Sequence, residues 1–427
     1  MNETQLPPHW KFVKLGDVVR ESIRDGVHQT PTYINYGIPF IKGKDIFDNK
    51  VSFANCSYIS LEEHLKISKK VKPELEDILL TKVGTVGNVA IIETSDNFSI
   101  FVQVALIKPK LDEVDSRFLM YVLHSRCGQE EIASKSSQST MRFIGTQKIA
   151  TIKIPLPPLP EQKTIAHTLR TIQKAKETRQ RELELERERK AVLMQYLFTY
   201  GTNPQYNSFQ KTRFGKVPQY WKTVPLEKCA SIQTGTAKGR KFPDSETVIL
   251  PYLRVANVQD GYLDLSEIKE ISIRKSEVKR YSLQVNDVVL TEGGDPDKLG
   301  RGFIWEGQIP NCIHQNHIFA VRTNREILLP EYLAYLVQSD YGKAYFLSVA
   351  HRTTNLASIN STKLKAFPTL VPDISEQNKI VTILQICDRK IQALEKEIAF
   401  TDELFHAMLE QLMIGKISTQ PLTETYV

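Results

Sequence analysis

The chain has 427 residues, 41% of them hydrophobic and 25% charged. At about 100–200 residues per domain this is enough for two to four domains with real cores. The net charge of +7 is mildly basic and compatible with a polyanionic partner. No apolar run reaches the ~18 residues of a membrane span. Met1-Asn2-Glu3-Thr4-Gln5 has neither the basic nor the apolar segment of an export signal, so a cytoplasmic protein with no membrane partner is expected. The cysteines (Cys56, Cys127, Cys229, Cys312, Cys387) form no C-x-x-C pair, which points to reduced thiols rather than disulfides or a zinc site.

Residues 1–154 read as a mixed α/β globule. Val89-Ala90-Ile91-Ile92 and Val102-Gln103-Val104-Ala105-Leu106-Ile107 predict strands, and Arg117 to His124 predicts a short helix. A proline-rich hinge follows, Pro155-Leu156-Pro157-Pro158-Leu159-Pro160, which stiffens the exit and fixes where a helix can begin. Glu161 to Tyr200 is a long helical pattern of roughly 60 Å at 1.5 Å per residue, and Gly201 stops it. Residues 155–201 thus form hinge and central helix, 202–214 a linker, and 215–367 a second globule. Residues 368–417 hold a second hinge, Pro368-Thr369-Leu370-Val371-Pro372, and a helix from about Ser375 to Ile414 stopped by Gly415; 418–427 is a tail.

The second half echoes the first. Pro8-His9-Trp10 matches Pro218-Gln219-Tyr220-Trp221, and Ile38-Pro39-Phe40-Ile41 matches Leu250-Pro251-Tyr252-Leu253. Asp77-Ile78-Leu79-Leu80-Thr81 matches Asp287-Val288-Val289-Leu290-Thr291, and Arg117-Phe118-Leu119-Met120-Tyr121 matches Glu331-Tyr332-Leu333-Ala334-Tyr335. Pro160-Glu161-Gln162 matches Ser375-Glu376-Gln377. The matches are collinear, as duplication requires.

The second long helix carries a seam at alternating spacings of four and three: Ile380, Leu384, Cys387, Ile391, Leu394, Ile398, Thr401, Phe405, Met408, Leu412. That is coiled-coil spacing. The first keeps it at Ile165, Leu169, Ile172, Leu183, Leu193 and Leu197, with a charged middle from Lys174 to Lys190. Residues 151–214 hold 12 basic and 6 acidic side chains; residues 368–427 hold 5 and 9. Opposite charge favours pairing, while a solvated face is the alternative for Arg179–Lys190. Two such helices in one chain can pair antiparallel. The expected fold is α+β: two similar domains alternating with two long helices in an antiparallel coiled coil, with pseudo-two-fold symmetry. Two related readers suit a DNA duplex with two half-sites.

The search for chemistry finds no P-loop, dinucleotide fingerprint, nucleophile elbow or H-E-x-x-H. Asn203-Pro204-Gln205-Tyr206 is a spoiled version of an amino-methyltransferase motif. Asp244, Glu267 and Lys269 fit the loose spacing of a stand-alone magnesium nuclease. His314 and His317 have ligand spacing with no third ligand. A coiled-coil adaptor that binds only proteins is the other alternative.

The remaining polar groups look like readers. Lys82, Gly84 and Thr85 follow the strand Ile78–Thr81; Glu292, Lys298 and Arg301 occupy the corresponding loop. Glycine allows close backbone approach, and the cations can meet phosphates. Gln103 follows in the first half, and Gln315, Asn316 and His317 in the second. Gln138, Thr140 and Arg142 precede the first hinge, as Arg352, Thr353 and Asn355 precede the second. Gln and Asn can pair with adenine, and Glu292 can accept from cytosine N4. These loops differ between the halves while the scaffolds match.

The order of domain, Pro-rich Glu-Gln helix, domain, Glu-Gln helix resembles the specificity subunit of type I restriction-modification enzymes. Pro157-Pro158-Leu159-Pro160-Glu161-Gln162 with Ile165, and Asp77-Ile78-Leu79-Leu80, carry the likeness most specifically, and it covers nearly the whole chain. The second hinge has Asp373-Ile374-Ser375 in place of the usual Pro-Leu. The resemblance implies two target recognition domains that read a bipartite site in double-stranded DNA. It implies a coiled coil that measures the gap and docks two methyltransferase subunits, which two restriction subunits can join. It also implies that S-adenosylmethionine, ATP and magnesium belong to those partners, and that this chain carries no cofactor or catalysis.

Overall fold

Short apolar runs such as Ile78-Leu79-Leu80-Thr81 fit a pleated surface buried on both sides, and the long Gly- and Pro-free stretches fit helices. The computed structural model describes residues 6–137, 141–203, 208–240, 242–294, 299–352 and 357–417. It divides into two compact units, residues 1–180 with 396–427, and residues 181–395. The expected boundaries therefore shift: each unit takes its globule together with part of both long helices.

In the first unit a four-stranded sheet runs in the order Arg24–Asp25, Val104–Ile107, Ile78–Thr81, Val89–Ile91. A three-stranded sheet sets Ile38–Ile41 between Ser57–Ile59 and Ser99–Ile100. The second unit repeats both. Ala230–Thr234, Ile318–Thr323, Val288–Thr291 and Gly302–Ile304 form the larger sheet, and Thr247–Leu253 lies between Lys269–Arg274 and Ile313–His314 in the smaller. The register repeats as well: Val104 faces Thr81 as Ile318 faces Thr291. The predicted first-half strands and helix appear as Val89–Ile91, Val104–Ile107 and Ser116–His124.

The proline segments are partly strands rather than free hinges. Lys153–Leu156 pairs antiparallel with Lys11–Lys14, and Pro368–Val371 with Lys222–Pro225. Proline is tolerated because each sheet has only two strands, and both strands are edges. The expected linker is also partly folded, since Phe209–Thr212 pairs with Gly215–Pro218 across its boundary.

The long helices span Leu159–Tyr200, 42 residues, and Ile374–Met413, 40 residues. Gly201 and Gly415 follow with φ of 71° and 67°, the left-handed conformation that glycine adopts without a Cβ penalty. At the start of the second helix Asp373 takes over as cap: its carboxylate accepts the Glu376 N–H at 2.8 Å.

The Glu-Gln pair is a clamp present in both units. Glu161 accepts the Trp10 indole N–H at 3.1 Å, and Glu376 accepts that of Trp221 at 3.1 Å. Gln162 accepts the Asp115 N–H at 2.9 Å and donates to the Glu113 and Pro157 carbonyls at 3.1 and 2.8 Å. Gln377 does the same with Leu329 N–H at 2.9 Å and the Ile327 and Pro372 carbonyls at 2.8 and 3.0 Å. Both amides are buried. Their value is that otherwise orphaned backbone groups are satisfied where globule meets helix.

Within the first unit Ile165 and Leu169 of one helix share a core with Phe405, Leu409 and Leu412 of the other. Lys176 pairs with Asp402, and Arg179 with Glu397 at 2.8 Å. Within the second unit Leu197 and Phe198 share a core with Ile380, Val381 and Leu384. Arg187 pairs with Glu395 at 2.7 Å, Lys190 with Asp388, and buried Glu186 with Lys390 at 3.5 Å. In each unit rising numbers on one helix meet falling numbers on the other, so the pairing is antiparallel. Leu394 is buried, and Leu183, Ile391 and Ile398 are half-buried. The charged middle is thus largely a pairing surface. Arg189 instead bonds Glu186 on its own helix at 3.3 Å.

Candidate nucleic-acid interface

The candidate readers sit where the central strands end. In the first unit, Thr81 and Val104 face each other, and one step further the Lys82 N–H donates to the Gln103 carbonyl at 2.8 Å. The chain then turns through Gly84 and Gly87, with φ of 77° and 105°. Gly84 N–H donates to the Arg142 carbonyl, and Ile144 N–H to the Lys82 carbonyl, both at 3.0 Å. Gly43 N–H reaches Gln103 Oε1 at 3.4 Å. Gly84, Thr85 and Arg142 are exposed and Gln103 half-buried. Four segments far apart in sequence therefore meet on one face.

Lys82 departs from expectation. Its side chain is only 4% exposed and pairs with Asp25, beneath the Phe143 ring at 5.2 Å. Burial pushes the Asp25 carboxyl up, but hydrogen bonding and charge attraction from Lys82 outweigh it and hold it below its ordinary value. The ammonium is neutralised inside the unit, so Lys82 is a structural cation rather than a phosphate contact. Sequence carries no signal for this, because its partner lies 57 residues away.

The second unit uses the same frame differently. Glu292 N–H donates to the His317 carbonyl at 2.9 Å, and Ile359 N–H to the Glu292 carbonyl at 2.8 Å. Gly293–Gly294 pairs with Ala357–Ser358, which pairs with His351–Arg352. A cleft of about 420 Å³ opens there, lined by Val255, Glu292, His317, His351 and Ser358 with the two glycines. Exposed His317 Nδ1 lies 2.6 Å from Glu292 Oε2. Gln315, Asn316 and Arg301 are half-buried nearby in sequence, and the Arg301 carbonyl accepts the Thr291 N–H at 3.0 Å. Gln138, Thr140, Lys298, Thr353 and Asn355 lie outside the described residues, as does the side chain of Arg352.

Lys42-Gly43, with Arg254-Val255 in the other unit, were missed by the sequence reading. The signal was available: each follows the matched segments Ile38–Ile41 and Leu250–Leu253 by one step, with a basic residue in both copies. Lys42 lies 4.1 Å over the exposed Tyr33 ring.

The other candidates do not converge. His314 is fully buried with Nδ1 3.1 Å from the Tyr281 carbonyl, apart from exposed His317. Glu267 pairs with Arg254 at 3.1 Å and Lys269 at 3.4 Å. Among the described residues no group of three or more His, Cys, Asp or Glu is arranged to hold a metal ion. Pro204, Gln205 and Tyr206 fall outside them. No helix among the described residues is long and apolar enough to cross a membrane.

Known proteins resemble this chain in sequence and in fold. The EcoKI specificity subunit of Escherichia coli K12 is 23% identical over 98% of this chain and 92% of its own length. The putative MjaX specificity subunit of Methanocaldococcus jannaschii is 27% identical over 48% of each chain, so this chain matches about half of that relative. The S subunit of the type I system of M. genitalium has a similar fold, with a TM-score of 0.56 at 16% identity over 96% of this chain and 97% of that one. The profile of the type I restriction modification DNA specificity domain matches residues 7–187 and again 218–399. With that domain present twice, one copy to each repeated globule and its helix start, this chain belongs to the type I restriction-modification DNA specificity family.

Proposed function

We propose that the chain reads a bipartite DNA site, one half with each unit, and acts as the non-catalytic recognition subunit for separate methyltransferase and restriction subunits. The observation that carries this reading is the doubled face. The same strand-end positions recur in both units on a matching scaffold but present different side chains, as two modules reading different half-sites require. Arg142 and the glycine loops suit phosphate and backbone approach, while Gln103 and His317 suit base edges. The two long helices would hold the readers at a set separation, so that one half-site bound raises the effective concentration of the other. S-adenosylmethionine, ATP and magnesium chemistry would reside in the partners, two methyltransferase and up to two restriction subunits.

The test is adenine-methylation mapping in a host expressing the chain with its methyltransferase. One bipartite motif with a fixed gap is expected; scattered or absent methylation would overturn the proposal. Adding residues to the first helix near Glu182 should change the tolerated gap and leave the bases unaltered. Exchanging residues 1–150 for another such domain should alter one half-site only. Magnesium-dependent plasmid cleavage by the purified chain, lost in Asp244→Ala, would establish the nuclease instead.

A further inference from the structure

The sheet register makes Gln103 and His317 the same position in the two units. Each immediately precedes a central strand, and each gives its carbonyl to the N–H of the residue one step past the facing strand, Lys82 or Glu292. Their side chains are prepared in opposite senses. Gln103 has its oxygen turned toward the Gly43 N–H at 3.4 Å, and its amide nitrogen has no partner among the described residues. That side chain presents N–H donors. His317 has Nδ1 against the Glu292 carboxylate at 2.6 Å. A carboxylate can only accept, so the proton sits on Nδ1 and the neutral ring presents Nε2 as an acceptor. Asn316 Nδ2, a donor, lies 3.4 Å from that nitrogen, which agrees with this tautomer; Nε2 has one lone pair, so a base amine must displace this long contact. The residue one step beyond the strand accounts for the difference: Lys82 turns inward to Asp25 and leaves Gln103 alone, whereas Glu292 turns to His317.

We infer that Gln103 and His317 are the equivalent specificity-determining residues of the two half-sites. Gln103 reads a base through an acceptor on its edge, and His317 reads one through an exocyclic amine, with Glu292 fixing the ring's tautomer. In the major groove the acceptors are purine N7, guanine O6 and thymine O4, and the amines are adenine N6 and cytosine N4. This rests on the DNA-reading function proposed above and adds to it which side chain reads and with what polarity.

The experiment maps methylated adenines in a host expressing the full chain with its methyltransferase, for wild type, Gln103→Ala, His317→Ala and Glu292→Gln. Gln103→Ala should cost about tenfold in preference at a single position of one half-site, and His317→Ala at a single position of the other, with the gap unchanged. The amide of Glu292→Gln can either donate to Nδ1 or accept from it, so the ring is no longer held in one tautomer and the preference at the His317 position should relax. If His317→Ala or Gln103→Ala abolishes methylation, His317→Asn and Gln103→Glu keep a polar group there and must alter the same single positions. A bipartite wild-type motif left intact by every variant overturns this inference alone. Glu292→Gln with the wild-type preference overturns the part of the Glu292 carboxylate in fixing the tautomer. No bipartite motif in the wild type overturns the function itself.

Discussion

The two units agree where they hold themselves together and differ where they face outward. Trp10–Glu161 and Trp221–Glu376 are the same contact at the same length. Ser125 caps the helix beginning at Arg126 as Ser339 caps the one beginning at Asp340, each accepting from a glycine N–H. Between Lys82 and Glu292, one step beyond matched strands, the charge inverts and the partners change. Contacts that satisfy buried backbone leave little room for substitution, whereas a strand-end side chain can change without disturbing the sheet beneath it.

The largest test of this comparison is the buried carboxylate common to both units. Asp287 is fully buried and takes two bonds from Arg322, at 2.8 and 2.7 Å. Asp77 is met by Arg20 and Lys108, both of which also hold Glu74. Burial pushes the Asp77 carboxyl above its ordinary value despite those cations. Asp287→Ala removes both Arg322 bonds and the acceptor of the Gln284 N–H and should cost about 3 kcal/mol, and Asp77→Ala about half that, since Glu74 retains both cations. Hydrogen exchange of Ile318–Thr323 and Val104–Ile107 measures each unit separately; equal losses would break the distinction.

A smaller effect is expected from the helix pair. Lys190 and Asp388 are mostly buried, and Asp388 also accepts the Tyr335 hydroxyl at 2.6 Å. Arg179 and Glu397 are about half exposed. Lys190→Glu should destabilise the second unit by about 2 kcal/mol, and Arg179→Glu the first by under ~1 kcal/mol, in urea melts followed by exchange.

Smaller again is the pH effect of one buried histidine of the second unit. His314 occupies the strand position held by Ile100 in the first, and burial pushes its pKa below the ordinary 6.5. The unfolded chain therefore takes up a proton below that pH while the folded unit does not. The stability is full above about pH 6.5 and falls on acidification at up to ~1.4 kcal/mol per pH unit. His314→Ile should flatten this slope in the Ile318–Thr323 amides; an unchanged slope would assign it to another group. The smallest change expected is a gain. Tyr332 replaces Phe118 of the first unit, and its buried hydroxyl has no hydrogen-bond partner among the described residues. Tyr332→Phe should stabilise the unit by about 1 kcal/mol or leave it unchanged in the same melts.

The sequence made the repeat, both long helices and their seams legible because they rest on periodicity and collinear matches. It exposed the reading loops as well, but not their inner bookkeeping. Lys82 looked like a phosphate contact because nothing local marks Asp25 as its partner. The proline segments looked like hinges because strand pairing with Lys11–Lys14 and Lys222–Pro225 is set by residues more than a hundred positions away. Asp373 was visible as a departure from the family's usual Pro-Leu, and only the fold gives it a capping role.

The division of the long helices between the units has a consequence for synthesis. Residues 181–395 are contiguous, so the second unit has all its parts as soon as Glu395 leaves the ribosome. The first, although translated earlier, lacks Phe405, Leu409, Leu412 and Met413 from the core around Trp10 until the very last helical turns emerge. At about 5–20 residues per second the N-terminal globule waits on the order of ten seconds or more with that apolar surface uncovered, an interval in which a chaperone has something to hold.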